Sequence, residues 1–199
     1  MEKLDILVTG VGGQGVVLAS DIIGEAALAA GYDVKKTDTL GMAQRGGSVV
    51  SNVRIGPEVR SPMIKDGEVG LLLAFEKLEA ARWSNYLRPD AIAIINDYEQ
   101  PPLSVSLGQG KYPTDGEITT ALKRRTNRIY FVDGNRLARE LGNVRTVNIL
   151  MLGCLSVFTP LDADVWKKCI SQRMSEKLRD INLTAFGKGR EEMENVRIK

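Results

Sequence analysis

Two glycine-rich clusters in this chain have the composition of ligand-binding loops. The first, Gly10-Val11-Gly12-Gly13-Gln14-Gly15, follows the apolar run Leu4 to Val8 and precedes a helix-compatible stretch, Val16 to Ala30. Glycines allow a tight turn and let backbone N–H groups approach a ligand. A helix starting at Val16 adds its unpaired N–H groups and its dipole at the same point. That chemistry suits a phosphate; the competing reading is a turn that only packs helix on strand. The second cluster, Gly41-Met42-Ala43-Gln44-Arg45-Gly46-Gly47-Ser48, holds a guanidinium fork between an amide and a Gly-Gly pair. Arginine in that setting suits planar anions, although Arg45 also reads as a solvated loop charge, with Gly46-Gly47 merely starting a strand. The candidate binding set is therefore Gly10, Gly12, Gly13, Gln14, Gly15, Gln44, Arg45, Gly46, Gly47 and Ser48. Gln14 has a structural alternative, an amide that satisfies backbone groups of its own loop.

The spacing Gly10-x-Gly12-x-x-Gly15 matches the dinucleotide fingerprint, which needs its surroundings to support it. A dinucleotide fold requires an apolar second strand ending in an acidic residue about 20 residues on. This chain offers Tyr32-Asp33-Val34-Lys35-Lys36-Thr37-Asp38, polar and basic, which weighs against a full NAD site.

Composition narrows the chemistry further. The 199 residues contain no histidine, so a general base would have to be a carboxylate, lysine or tyrosine, and histidine metal ligation is excluded. Cys154 and Cys169 sit in apolar helical patterns without a Cys-x-x-Cys pair, and read as core residues. No metal site and no catalytic residue is assigned. A net charge of +2 gives no broad field for nucleic acid or an anionic membrane. No apolar stretch approaches the roughly 18 residues of a membrane span, and no signal-peptide core precedes the first strand. The expectation is a cytoplasmic protein.

The elements that must position these residues follow from periodicity. Strands are predicted at Val49 to Ile55, at the near-continuous apolar run Val69 to Phe75, at Ala91 to Asn96 and at Arg128 to Asp133. Helices are predicted at Glu76 to Leu87, Thr114 to Arg125, Asn135 to Leu141 and Thr146 to Phe158, the last apolar nearly all round and buried in the core or against a partner. Residues 97 to 113 form a long loop with room for a short strand at Leu103 to Leu107. From Asp164, the residues Trp166, Ile170, Met174 and Leu178 share one helical face. The tail Gly189 to Lys199 fits an extension that packs on another chain. Strand, helix and strand in sequence suggest parallel crossovers. The fold class is α/β, a three-layer α/β/α architecture with a mostly parallel or mixed open sheet, Rossmann-like, with C-terminal helices. Residues 1–199 read as one domain with a helical extension at about 162–199.

Taken together, Gly10 to Gly15, the sequence Gln44-Arg45-Gly46-Gly47-Ser48 leading into Asn52-Val53-Arg54, and Asn148-Ile149-Leu150-Met151-Leu152-Gly153 resemble one family. It is the gamma-type domain of the 2-oxoacid:ferredoxin oxidoreductases, with similarity running from Lys3 to about Met174. The length resembles the small, beta subunit of the indolepyruvate ferredoxin oxidoreductase branch. The resemblance implies an oxidoreductase that decarboxylates a 2-oxo acid on thiamine diphosphate, passes electrons singly through iron–sulfur clusters to ferredoxin, and transfers the acyl group to coenzyme A as cosubstrate. The chain has no Gly-Asp-Gly signature for thiamine diphosphate, and two cysteines cannot supply a four-thiolate cluster. Thiamine diphosphate, magnesium and the iron–sulfur clusters are thus expected on a larger partner subunit, with this chain inactive alone and completing or covering the site. The Gly10 to Gly15 loop and Arg45 would then meet a diphosphate of coenzyme A or of thiamine diphosphate. No residue visibly selects an indole ring; Trp83 and Tyr86 read as packing residues. Two alternatives stand beside this one: a self-sufficient Rossmann-type nucleotide-binding oxidoreductase, and a ligand-free assembly module.

Overall fold

The computed structural model describes residues 3–40 and 47–197, so Gln44, Arg45 and Gly46 of the second cluster lie outside the described residues. Six strands, β1 (Leu4–Val11), β2 (Asp33–Leu40), β3 (Ser48–Gly56), β4 (Val69–Ala74), β5 (Leu87–Asn96) and β6 (Arg128–Val132), form one sheet. Its order is β2-β3-β1-β4-β5-β6. β1, β4, β5 and β6 run parallel, while β3 lies antiparallel between β1 and β2. The sheet is therefore mixed. All six residues of β4 are buried, as its unbroken apolar run requires of a strand covered on both faces.

Alternation along β1 separates two cores. Ile6 and Val8 point into the larger one, with α1 (Val16–Ala29), α5 (Gly134–Glu140), α6 (Val147–Ser156), α7 (Ala163–Arg173) and α8 (Glu176–Arg197). Leu7 points into the smaller one, beneath α2 (Lys77–Arg82) and α4 (Asp115–Lys123). The three-layer arrangement follows from that two-residue period. β2 is an edge strand, and its charges tolerate solvent there: Lys36 pairs with Asp21 at 2.5 Å and with Asp38 at 2.9 Å.

Four local expectations are corrected. Leu103–Ser106 is a short helix, α3, closed by the Ser106 N–H on the Pro102 carbonyl at 3.1 Å, because no strand edge lies beside it to pair with. The helix expected at Glu76 to Leu87 stops at Arg82, continues as a 3-10 turn at Ser84–Tyr86, and Leu87 already belongs to β5. Arg88-Pro89-Asp90 falls inside that strand, at a break in register between β4 and β5 where proline costs no ladder bond. α7 ends at Met174, whose extended backbone turns the chain, so Leu178 leaves the Trp166 and Ile170 face and is half-exposed on α8. The C-terminal tail packs on its own chain: Met193 is fully buried in the larger core through α8.

That packing also places Val147–Ser156 in the core. α8 crosses α6 with backbone against backbone. A Cβ added at Gly189 would lie 1.9 Å from the Leu150 carbonyl oxygen, and one at Gly153 would lie 2.2 Å from that of Phe186. The Cys154 thiol donates to the Gly189 carbonyl at 3.2 Å across the same crossing. Cys154 and Cys169 are both buried, as expected of core residues.

Candidate functional site

β1 and β4 are parallel neighbours whose chains leave in opposite directions, β1 into α1 on one face and β4 into α2 on the other. Such a switch point opens a crevice at the carboxyl ends of the strands. A cavity of about 370 Å³ lies there. Gly13, Gln14 and Gly15 form one wall, Phe75 follows β4, and Asn96, Tyr98 and Gln100 follow β5. The far wall is Asn135 at the start of α5, the turn residues Val144 and Arg145, and Val147 and Asn148 at the start of α6.

The glycine turn is built as its composition demands. Gly13 and Gly15 have φ of 101° and 84°, a left-handed backbone that side chains disfavour. Gly15 has a second constraint: a Cβ there would lie 2.5 Å from Asn148 Nδ2. Gln14 folds back so that its Oε1 accepts the Val11 N–H at 2.7 Å, while its Nε2 donates to Gln100 Oε1 at 3.4 Å. Its amide thus serves the loop's own backbone and still lines the cavity.

The electrostatics favour an anion. α1 is capped by Gly15 with no side-chain acceptor, its first internal bond is Ala19 N–H to the Gly15 carbonyl, and no acidic residue occupies its first turn. α6 also starts without a side-chain cap or an acid in its first turn. α2, α4, α7 and α8 each carry a carboxylate in that position. Of the three helices that start at the cavity, α1 and α6 therefore keep their positive ends unneutralised, while α5 is capped by the Asp133 carboxylate, which accepts the Arg136 N–H at 3.0 Å. Arg145 adds the only charged side chain among the described lining residues, and it has no carboxylate partner among them. Asn148 is buried, and its Oδ1 accepts the Ile149 N–H at 2.9 Å, which leaves the amide donor toward Gly15 and the cavity.

Among the described residues, the structure brings the two glycine clusters together through their backbones. Gly12 N–H donates to the Gly47 carbonyl at 2.8 Å, and Ser48 pairs with Val11 across the β1 and β3 ladder. Gly13, Gln14 and Gly15 line the cavity, whereas Gly10 stays within β1 and Gly12 and Gly47 close the loop. Ser48 turns away, its Oγ donating to Glu79 Oε2 at 2.5 Å. Asn148 heads one of the three motifs that carry the resemblance but is not in the candidate binding set, and Arg145 is not singled out by the sequence, because both lie some 130 positions beyond the loop they face. An asparagine at the head of an otherwise apolar helix was the signal available for one of them.

Among the described residues no group of three or more histidine, cysteine or acidic side chains could hold an ion. Burial pushes the Cys154 thiol up to about 12, and that of Cys169 in the same direction, so neither presents the thiolate that a cluster requires. The cavity has no carboxylate for magnesium, but its turn, helix ends and Arg145 fit a phosphate or diphosphate.

The topology also bears on the dinucleotide question. β3, not β2, lies beside β1 on one side and runs antiparallel; the parallel neighbour on the other side, β4, is followed by Glu76, whose carboxylate is already taken by the Glu79 and Gln100 N–H groups and the Tyr112 hydroxyl.

Comparison with known proteins shows the family. Residues 5–192 match the family described as pyruvate ferredoxin/flavodoxin oxidoreductase. The chain is 38% identical over 192 residues, 95% of each protein, to the indolepyruvate oxidoreductase subunit IorB of Pyrococcus horikoshii. It is 38% identical to the protein of that name from Archaeoglobus fulgidus, over 94% of each chain. In fold it resembles the gamma subunit of a keto/oxoacid ferredoxin oxidoreductase from Geobacter sulfurreducens, with a TM-score of 0.74, 22% identity and 98% of both chains covered. A 2-oxoglutarate:ferredoxin oxidoreductase from Magnetococcus marinus, solved with 2-oxoglutarate, coenzyme A and succinyl-CoA, contains a similar region. The TM-score is 0.75 at 22% identity, covering 98% of this chain and 32% of that one.

Proposed function

This chain belongs to the pyruvate ferredoxin/flavodoxin oxidoreductase family, and from that premise we propose that it is the small subunit of an indolepyruvate-type ferredoxin oxidoreductase. Full-length similarity to subunits of that name supports the substrate class. The catalytic cofactors, thiamine diphosphate with its magnesium and the iron–sulfur clusters, belong to a larger partner subunit, since two cysteines cannot ligate a four-thiolate cluster and the described residues group no three acidic or cysteine side chains around an ion site. Ferredoxin accepts the electrons from the assembled complex.

Within that complex the cavity at the switch point takes a phosphate-bearing group, and the apolar surface beside the anion-suited turn favours the phosphate end of coenzyme A as that ligand. The observation that carries this is the meeting of two uncapped helix N-termini with Arg145 over a glycine turn. Gly13, Gln14 and Gly15 cradle the anion, Arg145 from the turn before α6 and the Asn148 amide from α6 itself face it, and Phe75, Val144 and Val147 supply apolar surface for the rest. Gln44, Arg45 and Gly46, which lie outside the described residues, belong to the same proposed binding set. Binding here helps to position the acyl acceptor and to exclude water from the reacting centre.

The test is co-expression with the larger subunit, followed by iron analysis and indolepyruvate-dependent dye reduction. Copurification of an iron-bearing partner with that activity is the expected result; failure of any large subunit to associate would sink the assignment. In the reconstituted complex, Arg145→Ala should raise KM for coenzyme A about tenfold with kcat nearly unchanged, the loss of one charge-assisted contact. Arg45→Ala should act in the same direction. An unchanged KM in both variants would remove coenzyme A from the cavity.

A further inference from the structure

The segment 97–113 leaves β5 at the cavity end of the sheet, and both of its ends are fastened to a single buried dipeptide, Glu76-Lys77. Glu76 caps α2 by accepting the Glu79 N–H on Oε2 at 2.8 Å. A cap uses one oxygen. The other, Oε1, accepts the Gln100 N–H at 3.1 Å and the Tyr112 hydroxyl, which in turn accepts the Leu78 N–H at 3.2 Å. Lys77 repeats the pattern with its ammonium group, which pairs with Asp97 at 3.2 Å, Glu99 at 2.8 Å and Asp115 at 2.6 Å. Its own N–H donates to the Tyr98 carbonyl at 3.1 Å. Residues 97–100 and 112–115 are thereby held at one point, and the stretch between them loops out.

This clasp reaches the ligand cavity through one side chain. Gln100 Oε1 accepts from Gln14 Nε2, and Gln14 Oε1 holds the Val11 N–H. A continuous hydrogen-bonded path thus runs from Tyr112 through Glu76, Gln100 and Gln14 to the strand that carries the glycine turn. Glu76 and Tyr112 themselves do not line the cavity. Burial opposes the charge on Lys77, yet its three carboxylates hold it protonated well beyond the ordinary lysine range. Burial and the Glu76 carboxylate raise the Tyr112 phenol, so its hydroxyl stays a donor. The clasp is intact throughout the neutral pH range.

We propose that Glu76 and Tyr112 are positioning residues for the ligand cavity: their clasp sets Gln100 against Gln14 and couples the 97–113 segment to the glycine turn. The coupling rests on the cavity being the ligand site, and it is reciprocal, so a ligand seated on the turn also steadies the segment.

Two experiments separate this from a purely local role. In the full chain without ligand, Tyr112→Phe removes one hydroxyl outside the cavity, and hydrogen exchange should quicken about threefold or more both at 98–111 and at 12–17. Faster exchange at 98–111 alone, or at neither segment, overturns the coupling. Gln100→Ala cuts the same path at its other end and should quicken exchange at 12–17 equally; if Tyr112→Phe fails to fold, this variant carries the test. In the assembled complex, Tyr112→Phe should raise KM for coenzyme A about fivefold while kcat stays within about twofold. Combined with Gln14→Ala, its effect should be clearly less than the product of the single effects, and independent effects overturn the proposal. A wild-type complex with no saturable coenzyme A dependence would refute the coenzyme A assignment, while the ligand-free exchange experiment would still decide the coupling.

Discussion

Gly15, Gln14 and Asn148 show how much one side chain can settle at this site. Gly15 is held to glycine by its left-handed backbone and again by Asn148, which occupies the space a Cβ would need. The turn's composition was open to inspection, and so was Asn148 as the head of its apolar helix, but not their contact, because 133 positions separate them and only the fold closes that distance. Cys154 offers the converse case, since its apolar neighbours already marked it as core. Burial lifts its thiol to about 12, against an ordinary value of about 8.5 in an unfolded chain. The folded state therefore binds a proton that the unfolded state releases. Its stabilising contribution is complete below the ordinary value and falls as pH rises toward about 12. At pH 8 a colourless thiol reagent such as Ellman's should leave Cys154 unmodified in the native protein and label it promptly in guanidinium. Rapid native labelling of Cys154 would contradict its place in the core.

At the scale of elements, the crossing of α6 and α8 explains the all-apolar character of Val147–Ser156. Helices that meet through Gly153 and Gly189 bring their backbones closer than any side chain permits. Gly189→Ala should accordingly cost about 3 kcal/mol, at the upper end of what overpacking extracts, because the obstructing atoms belong to backbone and cannot rotate aside. Urea denaturation would read that as a lower midpoint at unchanged slope. A loss below about 0.5 kcal/mol would mean that the helices move apart freely. The apolar run itself was legible, but its partner was not: α8 is rich in charge, and Gly189 with Ala185, Phe186 and Met193 marks the face that binds. The start of α4 was legible because Thr114 and Glu117 form a reciprocal capping box, a purely local device, while its last helical residue is Lys123, short of the expected Arg125.

For the whole molecule, the sheet order governs function. The antiparallel β3 beside β1 departs from the strand order of a dinucleotide fold, yet the divergence of β1 and β4 keeps the crevice in which the proposed anion site lies. The same end of the sheet sends out the 97–113 segment, with Leu103 and Leu107 73% and 64% exposed. Two large apolar residues one helical turn apart, unsupported by the chain's own core, suit burial against the larger subunit. Leu103→Asp with Leu107→Asp should weaken co-purification of that subunit about tenfold or more while shifting the free chain's stability by less than about 0.5 kcal/mol. Retained assembly would place the contact elsewhere.

By itself the sequence determined the α/β alternation, the buried β4, the phosphate-suited turn at Gly13 to Gly15 and the absence of cluster ligands. Each is either a local conformational preference or a composition. The tertiary structure decided what stands beside that turn: β3 as its antiparallel neighbour, Arg145 and Asn148 opposite it, and Gln100 locked to it through Glu76. Those relations depend on strand order and on contacts between residues far apart in the chain, which local periodicity does not encode.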